Sequence, residues 1–443
     1  MNSIAKFIRV ADRSCHRCPA KFALLLAWGL LAAVILGSGQ PTCGHDQIPG
    51  APQREPVAIV GATVHPISGP DLPNATVLFH DGKITALAEE VEIPARARRI
   101  DAAGQHVYPG LIEAHCDLGL VEINSIRATV DSRETGTFNP NVRAAIAFNP
   151  DSELIPVGRA GGILAALSVP DGGLVSGRSS LMLLDGWNAQ DMTLRPEVAM
   201  HVSWPRNADD LEELTTFFEQ SVRYAAAVSE TTGQSPQPRD LRLQAMLPVV
   251  NGKLPVIVSA DSLHAIRGAI AFKQRFDLQM IIAGGMDALL CQELLRSEQI
   301  AVIVSGVYRN PSRRHSAYDE AYTLPQRLHA AGIPFCISAG GRFGANGIRN
   351  LAYNAATAAA YGLPEDVALR SITLAPAEIL GISQQMGALA VGMDASLLIT
   401  DGNILETPTQ IQHAFIQGRE VDLNSRHTQL YHKYSEKYDR LAP

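Results

Sequence analysis

His115 and Asp117 stand two residues apart in the apolar run LIEAHCDLGL. Alternate residues of an extended strand share a face, so this imidazole and this carboxylate would point the same way. Both are ligands for a divalent cation. A catalytic zinc typically keeps about three protein ligands and one open position, so the pair by itself would hold zinc or manganese only weakly. His201, Asp261, His264, His315 and Asp319 read as loop residues, available to a rebuilt site or serving as ordinary structural and surface groups. Residues 171–180 (DGGLVSGRSS) are rich in Gly and Ser. Such a loop can turn backbone N–H groups toward an anion, or it is a tight turn at the mouth of a fold. It lacks the lysine of a Walker loop. Residues 131–136 (DSRETG) are polar enough to line the same mouth, and no G-x-S-x-G elbow supports Ser-His-Asp chemistry.

These groups need a frame. The chain has 443 residues, 46% hydrophobic and 18% charged, with a formal net charge of -7. About 25% charged is usual in soluble domains, so charge is scarce while core formers are plentiful. That excludes disorder, and the acidic balance lacks the basic footprint of a nucleic-acid binder. From Val57, VAIVGATVHPI and ATVLFHDGKITALA read as strands, and Asp81-Gly82 between them signals a hairpin. After Pro109 the pattern becomes strand, then helix. Strands are predicted at 111–120, 162–169, 181–184, 255–260, 278–284, 300–306 and 333–339. Helices are predicted at 209–229, 263–276, 286–297, 348–361 and 364–370, with Asp261-Ser262 as a cap. Apolar strands alternating with helices imply a parallel sheet buried on both faces. The count suits a (β/α)8 barrel, with chemistry at the strand C-terminal ends. Strand character returns near Met386, so the two ends of the chain pair as one β-module. Residues 425–441 read as a polar helix packed on the body.

The beginning of the chain has another purpose. Lys6, Arg9, Arg13, Arg17 and Lys21 precede an uninterrupted apolar run at 22–37. A basic region, an apolar stretch and small residues near its exit describe an export signal. The run is also close to the ~20 residues of a membrane span, so cleavage and retention as an anchor both stand. Basic residues ahead of the run leave the bulk of the chain across the membrane, in a periplasmic or other extracytoplasmic space. Of six cysteines, Cys15 and Cys18 flank His16 without a second pair, and Cys43 follows the apolar run. Cys116, Cys291 and Cys336 read as buried thiols.

Four stretches taken together resemble the amidohydrolase superfamily, close to the imidazolonepropionase-like metal-dependent hydrolases. They are DGKI at 81–84, PGLIEAH at 109–115, SITLAPAEILG at 371–381, and GAL at 387–389 running to GMDASL at 392–397. Their order and spacing extend the likeness over roughly residues 57–421. The resemblance implies a distorted (β/α)8 TIM-type barrel with a composite β-sandwich formed by the N- and C-terminal segments. The implied layout is an export segment at 1–39, a linker at 40–56, the sandwich at 57–108 plus 386–422, the barrel at 109–385 and a terminal helix at 423–443. It also implies hydrolysis of C–N bonds in cyclic amides, amides or dipeptides by one or two metal ions, which lower the pKa of bound water to about 7.

The implied ligands are His-x-His on the first barrel strand, a carboxylated Lys or a Glu, two later His and a strand-eight Asp. Here the first pair reads His115-Cys116-Asp117. The strand-five and strand-six His positions fall at Ser259 and Gly284, and the strand-eight Asp position falls at Ala339. Lys253 and Lys273 are the only lysines between Lys83 and Lys433, and neither suits a bridging role. Three readings follow: a catalytically degenerate binding or scaffold module, an active amidohydrolase with a reduced or rebuilt site at His115 and Asp117, and a periplasmic interaction protein using the acidic 209–220 helix. The expected cofactor is none, or one weakly bound zinc or manganese. The expected partner is a small molecule or a protein, with no nucleic acid and membrane contact only through the N-terminal segment.

Overall fold

Asp81 and Gly82 both take positive φ, 49° and 75°, and turn the chain between two antiparallel strands as the hairpin signal requires. The computed structural model describes residues 48–230 and 240–441. Contacts divide the chain into Met1–His45 and Asp46–Pro443, and every described residue belongs to the second unit. The expected export segment at 1–39, with its apolar run and Cys15 and Cys18, lies outside the described residues, as do Cys43 and the linker up to residue 47. Among the described residues no helix is long and apolar enough to cross a membrane.

The described chain opens with β1 (Val57–Val64), β2 (Leu72–His80), β3 (Lys83–Ala88), β4 (Arg98–Asp101) and β5 (His106–Pro109). The middle of the chain holds β6 (Leu111–Cys116), β7 (Ile163–Ser168), β8 (Val175–Arg178), β9 (Ser180–Leu183), β10 (Thr193–Arg195) and β11 (Met200–Ser203). It continues through β12 (Val256–Ala260), β13 (Met280–Gly284), β14 (Ala301–Ser305) and β15 (Phe335–Ser338). The last strands are β16 (Leu397–Thr400), β17 (Ile411–Ile416) and β18 (Arg419–Glu420).

The two ends of the chain build one sheet in the order β18-β17-β16-β5-β1-β2-β3, with β4 added on β1. β16 runs antiparallel to β5, pairing Leu397 with Pro109 and Ile399 with Val107. Its core holds Ile59, Val77, Phe79, Leu397 and Phe415. The end of the expected linker lies on this sheet: the Gln53 side chain donates to the Phe79 carbonyl at 3.0 Å and accepts from the Gly82 N–H at 3.0 Å.

The middle strands form two further sheets, β10-β9-β7-β6 and β15-β14-β13-β12-β11-β8. β11 to β15 are parallel throughout. Helices join them, including Ala208–Glu230, Leu263–Phe276 and Glu320–Ala330. Every residue of β7, β9, β13 and β15 is buried, which explains why charge is scarce: a strand covered on both faces has no place for it. The Ser262 hydroxyl accepts from the Ala265 N–H and starts Leu263–Phe276 as the expected cap. Cys116, Cys291 and Cys336 are buried free thiols.

The structure departs from the sequence reading in several elements. β8, β10 and β11 were not expected; strands this short leave little periodic signal. The helix expected at 286–297 is a 3-10 turn, Ala288–Cys291, followed by Gln292–Ser297. The strand expected at 111–120 stops at Cys116 because the Leu120 and Val121 N–H groups turn back onto the Asp117 carbonyl. The terminal helix Arg426–Asp439 buries none of its residues.

Candidate functional site

The ends of β6, β11, β12 and β15 converge on a cavity of about 170 Å3 whose lining includes His115, Asp117, Asp171, His201 and Ser259. His115, Ser203 and Ser259 also line a larger adjoining cavity of about 550 Å3, together with Trp204, Arg206 and His264. Parallel α/β folds place ligands at this end of the strands because loops supply the functional groups there.

Glu113 governs the geometry beneath these cavities. It is fully buried on β6. Its carboxylate accepts from the Ser338 hydroxyl, from the Ala339 N–H at 2.8 Å and from the His115 N–H at 3.0 Å. Burial pushes its pKa up to about 7, against the pull of those hydrogen bonds. One carboxylate thus ties the end of β15 to the end of β6. The two backbones approach so closely that a Cβ at Gly340 would lie 2.3 Å from the His115 carbonyl oxygen; only glycine fits there.

His115 and His201 meet across the inner cavity, with ring centroids 5.6 Å apart and planes tilted by 57°. Neither Nε2 has a hydrogen-bond partner among the described residues. Burial lowers the pKa of His115. It pushes that of His201 well down, with the neighbouring His115 adding to the effect. Both rings are therefore neutral at pH 7. Asp117 stands beside them with its carboxylate accepting the Ala345 N–H at 2.5 Å. Burial raises its pKa.

The other expected ligand positions lack donors for physical reasons that can be named. Gly284 has φ +105°, and a Cβ there would lie 2.6 Å from Asp261 Oδ1, so a histidine at that position would be strained and would collide. Ala339 presents a methyl group, and its N–H is spent on Glu113. Ser259 is exposed at the cavity wall. Among the described residues no three or more His, Cys, Asp or Glu side chains are grouped so as to hold a metal ion. The donor set therefore does not fit the metal centre that the resemblance implies.

Other expected contributors are dispersed. His201 is not a loop residue; it sits on β11 against His115. Asp261 pairs with Arg309 at 3.6 Å. His315 and Asp319 line neither cavity. In the Gly/Ser-rich segment the Leu174 and Val175 N–H groups both bond the Thr137 carbonyl, which spends donors that an anion would need. Arg133 of the 131–136 segment pairs with Asp171 at 2.5 Å. Glu113 was missed in the sequence, hidden in an apolar strand; His201 was named as a loop donor, and what was missed is the four-residue strand that carries it.

A family model, Amidohydrolase family, matches residues 271–421. The amidohydrolase tasK of Hapsidospora irregularis is 23% identical over 391 residues, covering 77% of this chain and 39% of that protein. The chain thus spans well under half the length of that relative. A dihydroorotase of Anaeromyxobacter sp. (strain K) is 41% identical over 58 residues, 13% of each protein. The crystal structure of an amidohydrolase from Thermotoga maritima MSB8 superposes with a TM-score of 0.74 over 83% of this chain and 99% of that one, at 23% identity. That last likeness is one of fold.

Proposed function

The chain belongs to the amidohydrolase superfamily, and from that premise we propose that it is a catalytically degenerate member retained as a small-molecule binding module. One observation carries the reading: the strand-six ligand position is occupied by a glycine against which Asp261 packs, so the site has been rebuilt around the missing ligand and not merely stripped of it. A hydrolase of this kind needs a metal-activated water, and His115 and Asp117 are the donors left at the implied positions.

The same reading takes the two middle sheets as a closed, distorted (β/α)8 barrel and the end-to-end sheet as a composite β-sandwich. Glu113 bonding across β6 and β15 supports closure on one side. Support on the other side comes from Ser179, between β8 and β9, which bonds Ala199 and Val198. Phe79 and Phe415 are distant in the sheet order yet pack edge-to-face at 5.1 Å, as they would in a sheet folded over its own core. The proposed boundaries are 57–108 plus 386–422 for the sandwich, 109–385 for the barrel and 423–443 for the terminal helix. Export through residues 1–39, into the periplasm or another extracytoplasmic space, is proposed from the basic and apolar pattern there.

A second reading, an active hydrolase with a reduced centre at His115 and Asp117, draws on the unpartnered Nε2 atoms of His115 and His201. Elemental analysis of the purified full chain separates the two, combined with assays on cyclic amides, amides and dipeptides in added zinc or manganese. The degenerate reading expects substoichiometric metal and no turnover. One tightly bound metal per chain, lost together with turnover in His115→Ala and Asp117→Ala, would overturn it.

A further inference from the structure

The terminal helix Arg426–Asp439 is fastened at its start. Ser425 is buried and its N–H donates to the Thr428 hydroxyl at 2.8 Å. His427 Nδ1 meets Arg349 Nη1 at 3.0 Å. The helix itself buries no residue. Even so, it carries Tyr431, Tyr434 and Tyr438, which are 70%, 47% and 66% exposed, and Leu441 follows at 67%. Spacings of three and four residues put these side chains on one stripe of the helix. Such a stripe normally faces a core; here it faces solvent, as an interaction surface does. The tyrosine rings contact His432, Lys433 and Lys437 of their own helix.

Charge decides what fits this face. Lys433 and Lys437 stand four residues apart along one edge of the stripe and make no ion pair with any described residue. Arg426 continues that edge seven residues earlier. Arg440 pairs with Glu436 at 2.7 Å. At about 100° of rotation per residue, Glu436 and Asp439 fall on the side turned away from the tyrosines. The helix thus gathers four Lys and Arg against two acids, in a chain whose net charge is -7.

We infer that this face docks on an anionic lipid bilayer, with the tyrosines seated among the headgroups and the lysines at the lipid phosphates. Tyrosine suits that depth because its ring is apolar and its hydroxyl is wet. Lysine stems lie along apolar surface while their ammonium groups reach the charged layer. A basic edge beside an apolar stripe is the pattern of a helix lying in the membrane surface. A second copy of the chain fits less well. In a symmetric antiparallel pair the same edge of both helices lies on one side, so lysines would face lysines, which like charges oppose. The contact would add to any membrane attachment through the N-terminal segment, and it is independent of what the strand-end site does.

The test is hydrogen exchange of the full chain, read at residues 426–441, with vesicles of phosphatidylcholine alone or mixed with phosphatidylglycerol. Reading the helix itself separates its contact from any made by the N-terminal segment. The mixed vesicles should slow exchange across the helix by about tenfold or more. Neutral vesicles should leave it unchanged, and high salt should reverse the effect. Lys433→Gln and Lys437→Gln should each weaken the vesicle affinity by about fivefold. Replacing Tyr431, Tyr434 and Tyr438 together by Ala should abolish the protection. Alanine and glutamine keep a helix, and all five side chains are exposed, so exchange in the buried strands should stay as it is. No protection by mixed vesicles, equal protection by neutral ones, or full protection in the alanine variant would overturn the inference. Protection that grows with protein concentration in the absence of vesicles would overturn it too, and would assign the face to a second copy.

Discussion

The sheet built from the two chain ends and the strand ends around His115 are both buried, but burial serves different purposes in them. In the sheet, Ile59, Val77, Phe79 and Phe415 are fully covered and share one apolar cluster. Gln53 ties the hairpin at its edge with both halves of its amide. At the strand ends the chain keeps a buried carboxylate, two imidazole nitrogens without partners, and glycines at positive φ against Asp117 and Asp261. Hydrophobic burial alone would select the first arrangement. The second carries desolvation and strain that burial alone would remove. These polar groups gather at the strand ends, where parallel α/β folds place ligands.

Four measurements can break or sharpen that contrast. The largest effect belongs to the sheet. Phe79→Ala should cost about 3–5 kcal/mol in denaturant unfolding, because it removes a fully buried ring and leaves a cavity; a loss below about 1 kcal/mol would mean that Phe79 and Phe415 do not share a rigid core. Next comes Glu113, whose pKa rises from 4.5 to about 7 on burial. The folded state then binds more protons than the unfolded state in that window, so this group's contribution to stability is fully present below pH 4.5 and is lost as pH rises through 7. The decline should amount to about 3 kcal/mol from this group, and Glu113→Gln should abolish it in urea melts taken across that range. Gly284→Ala should cost about 1–3 kcal/mol, since the new Cβ meets both positive φ and Asp261; a neutral result would show that Asp261 moves freely. The smallest change is His201→Leu, which exchanges an unpartnered buried nitrogen for a methyl group. It should be neutral or stabilising within about 1 kcal/mol. A loss above about 2 kcal/mol would reveal a hidden partner and make the strand ends resemble the sheet.

The strands that carry long apolar runs were legible because alternation and apolar runs are local properties. β12, β13 and β14 fall within the expected ranges, and the Asp81-Gly82 turn forms as its residue types require. β11 was not legible: four residues between Ala199 and Trp204 carry too short a pattern, so His201 read as a loop donor. Glu113 was hidden for the opposite reason. It sits in a run so apolar that nothing nearby in sequence announces its partners, which arrive from Ser338 and Ala339, more than two hundred residues later.

By its residue types and their order the sequence determined the hairpin, the alternating strands and helices, the likeness to the amidohydrolase family, and the residue types Ser259, Gly284 and Ala339 where that likeness expects ligands. Each depends on chemistry within a few neighbouring residues. Only the tertiary structure decided that His201 faces His115, that Glu113 bonds across β6 and β15, and that Asp261 closes the space beside Gly284. Those outcomes depend on which distant strand ends are brought within hydrogen-bond reach, and on packing so close that a single Cβ determines what fits.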